Sequence, residues 1–153
     1  FERIFAPYAR NLKKLGIEMK YRTVDASLYT QRAETFDFDM MVSRFPASMS
    51  PGNELRNMFS STAADTNGSR NLPGIKDPVV DALIDSVVNA ENREKLVIAT
   101  RALDRVLLHG EYLVPNWFIN THRIAYRDIF SYPETLPLYY EAVDLMIKTW
   151  WLR

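Results

Sequence analysis

The chain has 153 residues with 19 basic and 19 acidic side chains, so its formal net charge is zero. That balance removes the long-range positive field on which nucleic-acid binding and attachment to anionic membranes depend, and nucleic acid is set aside as a partner. There is no cysteine and there are two histidines, which excludes disulfides, thiolate nucleophiles and cysteine-type zinc sites and argues for no metal or other cofactor. Hydrophobic residues at 47% and charged residues at 25% describe a folding chain of about one domain.

Ile4, Phe5, Tyr8, Leu12 and Leu15 recur at helical spacing, and Gly16 stands where a left-handed cap ends a helix. Pro7 predicts either a kink or a start near Ala6. Ile17, Met19, Tyr21 and Thr23 alternate with Glu18, Lys20 and Arg22, the pattern of a strand with one buried face. Asp25 or Ser27 caps a short helix to about Thr35. A second strand follows, with Phe36, Phe38 and Met40 on one side and Asp37 and Asp39 on the other, running apolar through Val42. Strand, helix and strand at this spacing predict a right-handed crossover with parallel strands, hence an α/β fold with a mixed sheet flanked by helices.

Ser43 to Pro51 reads as a loop at the carboxyl end of that second strand, where open α/β sheets bind ligands. Glu54 to Phe59 is a short helix, and the Ser-, Thr-, Asn- and Gly-rich stretch Ser60 to Gly74 is a surface loop. Its Asn67-Gly68-Ser69 triplet matches a glycosylation acceptor but is given no weight. Asp77-Pro78 starts a helix whose stripe is Val79, Val80, Leu83, Ile84, Val87 and Val88. A longer helix from about Asn92 to Leu108 turns Leu96, Ala99, Leu103, Val106 and Leu107 inward, and the two pack as a hairpin. Beyond Tyr112, Leu113 to Ile119 is apolar, Thr121 to Tyr126 is strand-like, and Pro133 and Pro137 mark a loop. Trp150 and Trp151 are expected to pack against chain beyond this sequence. The opening at Phe1 and the apolar end suggest a piece of a longer protein, with any secretory leader upstream.

Three groups of residues could carry chemistry. Asp37 and Asp39 share a strand face and, with His122, would make a hydrolase, but solvated or helix-capping carboxylates and a half-buried packing histidine are the favoured explanation. No nucleophile elbow or phosphate-cradling glycine loop is present. The third group combines the Arg44-Phe45-Pro46 loop, Ser48, Asn53 and Glu54 with the aromatic Trp117 and Phe118. It offers apolar contact surface with a few fixed polar groups, as a binding pocket does.

Leu15-Gly16-Ile17-Glu18-Met19, Thr23-Val24-Asp25, Tyr29, Phe36-Asp37-Phe38-Asp39-Met40 and the Pro51 loop resemble the carboxyl-terminal lobe of bacterial extracellular solute-binding proteins, family 5, the peptide and nickel type. Pro115-Asn116-Trp117, His122 to Tyr126, Phe130, Pro133-Glu134, Pro137 and Thr149-Trp150-Trp151 are similar to the YejA-like subgroup, associated with oligopeptide and microcin C uptake. The resemblance implies a lobe of a two-lobed periplasmic binding protein of type II, with residues 1–111 in the ligand-binding lobe and 112–153 crossing back toward the hinge. It implies an oligopeptide ligand, partnership with the permease subunits of an ABC importer and with a missing amino-terminal lobe of the same chain, a periplasmic location and no catalysis. Arg44 would hold a carboxylate or backbone carbonyl, Phe45 and Trp117 would give apolar contact, and Ser48 and Asn53 would give hydrogen bonds. Relatives carry an aspartate in this loop for the peptide's amino terminus, whereas Arg44 to Pro51 contains no acid. The ligand terminus is therefore blocked, as in formylated peptides, left in solvent, or held by Glu54 or the other lobe.

Overall fold

The computed structural model describes residues 1–45, 50–118, 120–137 and 140–153. Helix α1 spans Glu2–Lys13, with Pro7 inside it. Gly16 adopts φ +79° and closes the end, and the Ile17 amide returns to the Leu12 carbonyl at 3.1 Å. Helix α2, Ala26–Glu34, begins where the Asp25 carboxylate accepts from the Leu28 amide at 2.9 Å, satisfying one of the orphan donors of the first turn.

The two predicted strands are not formed. Residues 17–24 are irregular, and Ile17 and Tyr21 are exposed. At the end of α2 the chain turns sharply, because Phe36 takes φ +56°, a left-handed conformation that side chains other than glycine adopt at a cost. The Asp37 amide reaches back to the Arg32 carbonyl at 2.9 Å and the Phe38 amide to the Phe36 carbonyl at 3.0 Å. Alternating apolar residues specify a face, but a strand also needs a neighbour for its backbone groups, and among the described residues neither segment has one. The crossover unit and the mixed sheet are therefore corrected. The one sheet among the described residues is a small antiparallel pair, β1 (Phe130–Ser131) with β2 (Trp151–Leu152), Phe130 opposite Leu152. Residues 113–118 and 121–126 are likewise not strands. Helix α6, Ala142–Thr149, lies just before β2.

The helical predictions hold. Helix α3 is Glu54–Phe59. Helix α4, Pro78–Val88, is capped by Asp77, whose carboxylate accepts from the Val79 amide at 2.8 Å. Helix α5, Arg93–His109, is capped by Asn92 through the Lys95 amide at 2.9 Å. The α4 and α5 stripes face each other, and their centre is the core: Ile75, Val80, Ile84, Val87 and Leu103, all nearly or fully excluded from solvent, with Leu96, Ala99, Val106 and Leu107 packed around them. Fully burying each such aliphatic side chain contributes about 1.5–3 kcal/mol. Val79 departs from the predicted stripe and is exposed.

The stretch 60–74 is more than a surface loop. It contains a 3-10 turn at Ala63–Asp65 and two buried polar residues, Ser69 and Asn71. The Asn71 side-chain amide donates to the Ser60 and Ile75 carbonyls, both at 2.9 Å, while its oxygen accepts from the Ile75 amide at 2.9 Å. Ser69 donates to the Ala63 carbonyl at 2.6 Å. Gly68, at φ +76°, turns the chain and its amide donates to the Glu34 carbonyl at 2.9 Å, tying the stretch to α2. Among the described residues, packing between elements is confined to α4 with α5, α3 with α4 and with the 3-10 turn, and β1 with β2.

Candidate binding cavity

A cavity of about 230 Å³ opens between α2, the segment 41–45 and the turn at 69–72. Helical spacing puts Tyr29, Thr30, Ala33 and Glu34 of α2 on its wall. Met41, Ser43, Arg44 and Phe45 line the side facing them, with Met58 below and Arg70 and Leu72 on the turn. The Tyr29 hydroxyl donates to the Val42 carbonyl, pinning the extended 41–45 segment to the helix. Burial raises the Tyr29 phenol above its usual range, because the phenolate would lose hydration. Phe45 stacks on Phe59 of α3, ring centroids 5.7 Å apart and planes at 28°, an arrangement that fixes one apolar wall.

Of the residues expected to bind ligand, the structure brings together Arg44 and Phe45 on this wall. Ser48 lies outside the described residues. Asn53 precedes α3, is exposed and does not line this cavity. Trp117 is exposed and does not line it either. Sequence reasoning missed Tyr29 as a wall residue, and missed Glu34 and Arg70 altogether. Tyr29 and Glu34 were readable only as part of the face of α2 next to a binding loop, and Arg70 carries no sequence signal, since its turn reaches the cavity through tertiary packing. Glu54, considered as an acid for a peptide amine, instead accepts from the Gly52 amide at 3.0 Å.

A second cavity, about 220 Å³, is built from the chain's last forty residues, and neither Asn53 nor Trp117 lines it. Trp150 packs face to face with Tyr132 at 5.1 Å and edge-on with Tyr126 at 4.8 Å, so its side chain is occupied within this chain, contrary to expectation. Trp151 remains half-exposed. A hydrogen bond with the Tyr132 side chain holds the Tyr126 phenol above its usual range. His122 also lines this cavity, its Nε2 3.1 Å from the Tyr140 carbonyl and its ring 5.1 Å from the Tyr140 ring. Asp37 sits 3.6 Å from the Arg32 guanidinium, and neither Asp37 nor Asp39 lines either cavity. The predicted pairing of these carboxylates with His122 is thus not assembled at either cavity. Among the described residues no three His, Asp or Glu side chains converge as a metal site would need, and no helix is long and apolar enough to cross a membrane.

No protein-family model matches the chain. It is 49% identical over 138 residues, 90% of its length, to the "Probable peptide-binding protein YejA" of Agrobacterium fabrum. It is 48% identical over all 153 residues to the uncharacterized protein y4wM of Sinorhizobium fredii. It is 34% identical over 150 residues, 98% of its length, to the peptidoglycan-binding protein YepA of Agrobacterium fabrum. The chain spans under a quarter of the length of these relatives, at 22%, 23% and 24% in that order. The similarity runs the length of the chain at this identity, and the chain matches one segment of these YejA-related proteins.

Proposed function

We propose that this chain is one lobe of the substrate-binding component of an ABC importer, holding an oligopeptide in a cleft between two lobes and handing it to the membrane permease in the periplasm. The observation that carries this reading is the cavity between α2 and the 69–72 turn. Apolar side chains of Tyr29, Phe45 and Met58 line it beside the polar residues Arg44, Ser43 and Thr30, the mixed composition that a binding pocket uses for affinity and orientation. The names of the relatives, peptide-binding and peptidoglycan-binding, support a ligand containing peptide bonds.

In this reading residues 1–111 belong to the ligand-binding lobe and 112–153 return toward the hinge. Arg44 contacts a carboxylate or carbonyl, and Phe45 an apolar side chain; Asn53 and Trp117, which lie outside this cavity, act against the other lobe. The cavity wall carries two guanidiniums, Arg44 and Arg70, against one carboxylate, Glu34. Surplus positive charge disfavours a peptide ammonium, so blocked peptides, formylated or microcin C-like, are preferred over free amines. Closure of the lobes removes water from both sides of the ligand without breaking a bond.

The test is calorimetric titration with a formylated peptide and its free-amine twin, followed by mass analysis of the recovered peptide. The reading expects tighter binding of the formylated form and an unchanged mass. Tighter binding of the amine would overturn the blocked-terminus preference, and cleavage products would restore the hydrolase reading.

A further inference from the structure

We propose that Asn67 is the chain's site of spontaneous deamidation and that the hydrogen bond from the Gly68 amide to the Glu34 carbonyl governs its rate, so that conversion to isoaspartate permanently unties the 60–74 stretch from α2.

The pair of residues sets the chemistry. A backbone nitrogen can attack the side-chain carbonyl of the asparagine before it, and a side chain on the attacking residue hinders that approach. Of the chain's asparagines, Asn67 alone is followed by glycine. Base from the solvent takes the Gly68 amide proton, and the nitrogen attacks the Asn67 Cγ. The new C–N bond closes a succinimide ring while the side-chain nitrogen takes a proton from water and leaves as ammonia. Water then opens the ring at one carbonyl or the other, giving aspartate or isoaspartate, with nothing oxidised or reduced.

The surroundings leave the reacting atoms open. Asn67 and Gly68 are exposed on the turn that follows the 3-10 segment, and nothing stands within 4 Å of the point a Cβ on Gly68 would occupy. Among the described residues the Asn67 side chain has no hydrogen-bond partner. The side chains of Asn11, Asn71, Asn89 and Asn92 are by contrast each held by one or more hydrogen bonds.

One contact restrains the reaction. The nitrogen that must attack is the one whose proton is engaged by the Glu34 carbonyl at 2.9 Å. While that bond stands, base cannot take the proton, and the lone pair it would leave points at the carbonyl of α2 and away from Cγ. Deamidation therefore passes through the same local opening that lets this amide exchange its hydrogen with solvent. Isoaspartate then routes the main chain through the former side-chain carbon and lengthens it by a methylene ahead of Gly68. The amide no longer meets Glu34, and the 69–72 turn loses its tie to the helix on the far side of the cavity.

The test ages the chain in mildly alkaline buffer beside a synthetic peptide of residues 64–71 and follows each asparagine by peptide mapping with mass analysis. Exchange of the Gly68 amide is recorded by NMR at the same pH and temperature. Asn67 is expected to convert before any other asparagine, at least about tenfold more slowly than in the peptide, and by the same factor as exchange of the Gly68 amide is slowed. Asn67→Gln, which would need a larger ring, leaves this position unconverted. Asn67→Asp carries the product's charge on an unaltered backbone and keeps the Gly68 amide protected, whereas the isoaspartate form isolated from aged chain has lost that protection. Earlier conversion of another asparagine overturns the assignment of the site. Conversion at the peptide's rate, or a slowing that differs from the exchange factor by more than about threefold, overturns control by the Gly68 bond. A protected Gly68 amide in the isoaspartate form overturns the untying.

Discussion

Replacing Asn71 with alanine tests how the 69–72 turn at the cavity is held. Asn71 is fully buried and makes three hydrogen bonds of 2.9 Å. The substitution strips the hydrogen-bond partners that the Ile75 amide and carbonyl have among the described residues. The Ser60 carbonyl keeps one bond, from the Ala63 amide at 3.1 Å. A buried polar group left without a partner costs about 1–3 kcal/mol, so two such groups cost about 3 kcal/mol, after allowing for the buried amide that is also removed. The control is Asn89→Ala, which removes an exposed bond of the same length, 2.9 Å, to the Asp85 carbonyl and is expected to cost under about 0.5 kcal/mol. Urea unfolding of each variant, read as the shift in midpoint at constant slope, gives both numbers. If Asn71→Ala costs no more than Asn89→Ala, the turn is not held by this residue.

Other substitutions probe the rest of the account. Ile84→Ala, at a position with no solvent exposure in α4, is expected to cost about 3 kcal/mol in the same assay, since it leaves a cavity between the two long helices. Thr100→Val is expected to stabilise the chain by up to about 1 kcal/mol, because the Thr100 hydroxyl oxygen is buried without a partner and valine keeps its shape. Tyr29 has its phenol raised by burial, so the folded chain favours the neutral form. The unfolded phenol ionises first as pH rises, near its ordinary value of about 10. Stability from this group is therefore complete below that point and falls as pH climbs through the unfolded and then the folded pKa. Tyr29→Phe should remove that alkaline loss, measured as the thermal midpoint between pH 8 and pH 11.

The helices were legible because their signals are local. Asp25, Asp77 and Asn92 cap the helices that follow them, Pro78 opens α4, and Gly16 terminates the turn after α1, each through groups a few residues away. The strands were misread because the alternation in 17–23 and 36–42 reports which side chains are apolar and says nothing of a partner backbone. The turn at Phe36 carries no glycine to betray its left-handed conformation. Asn71 was hidden for a related reason: in a sequence, a buried asparagine looks like any loop residue until its partners are known. In the cavity, Arg44 and Phe45 were found from an unusual loop composition, whereas Glu34 and Arg70 reach the same space from segments 36 residues apart in the sequence. The aromatic packing around Trp150 depends on Tyr126 and Tyr132 folding back onto it, which periodicity does not encode.

The central claim is that ligand occupies the space between α2 and the 69–72 turn. Backbone amide shifts recorded while a formylated acidic peptide is added test it most directly, and they remain informative when binding is weak. The account predicts saturable changes clustered at Tyr29 to Glu34, Met41 to Phe45 and Ser69 to Leu72, with the α4–α5 hairpin unmoved. Changes confined to the aromatic cavity around Trp150, or spread evenly over the chain, would contradict it.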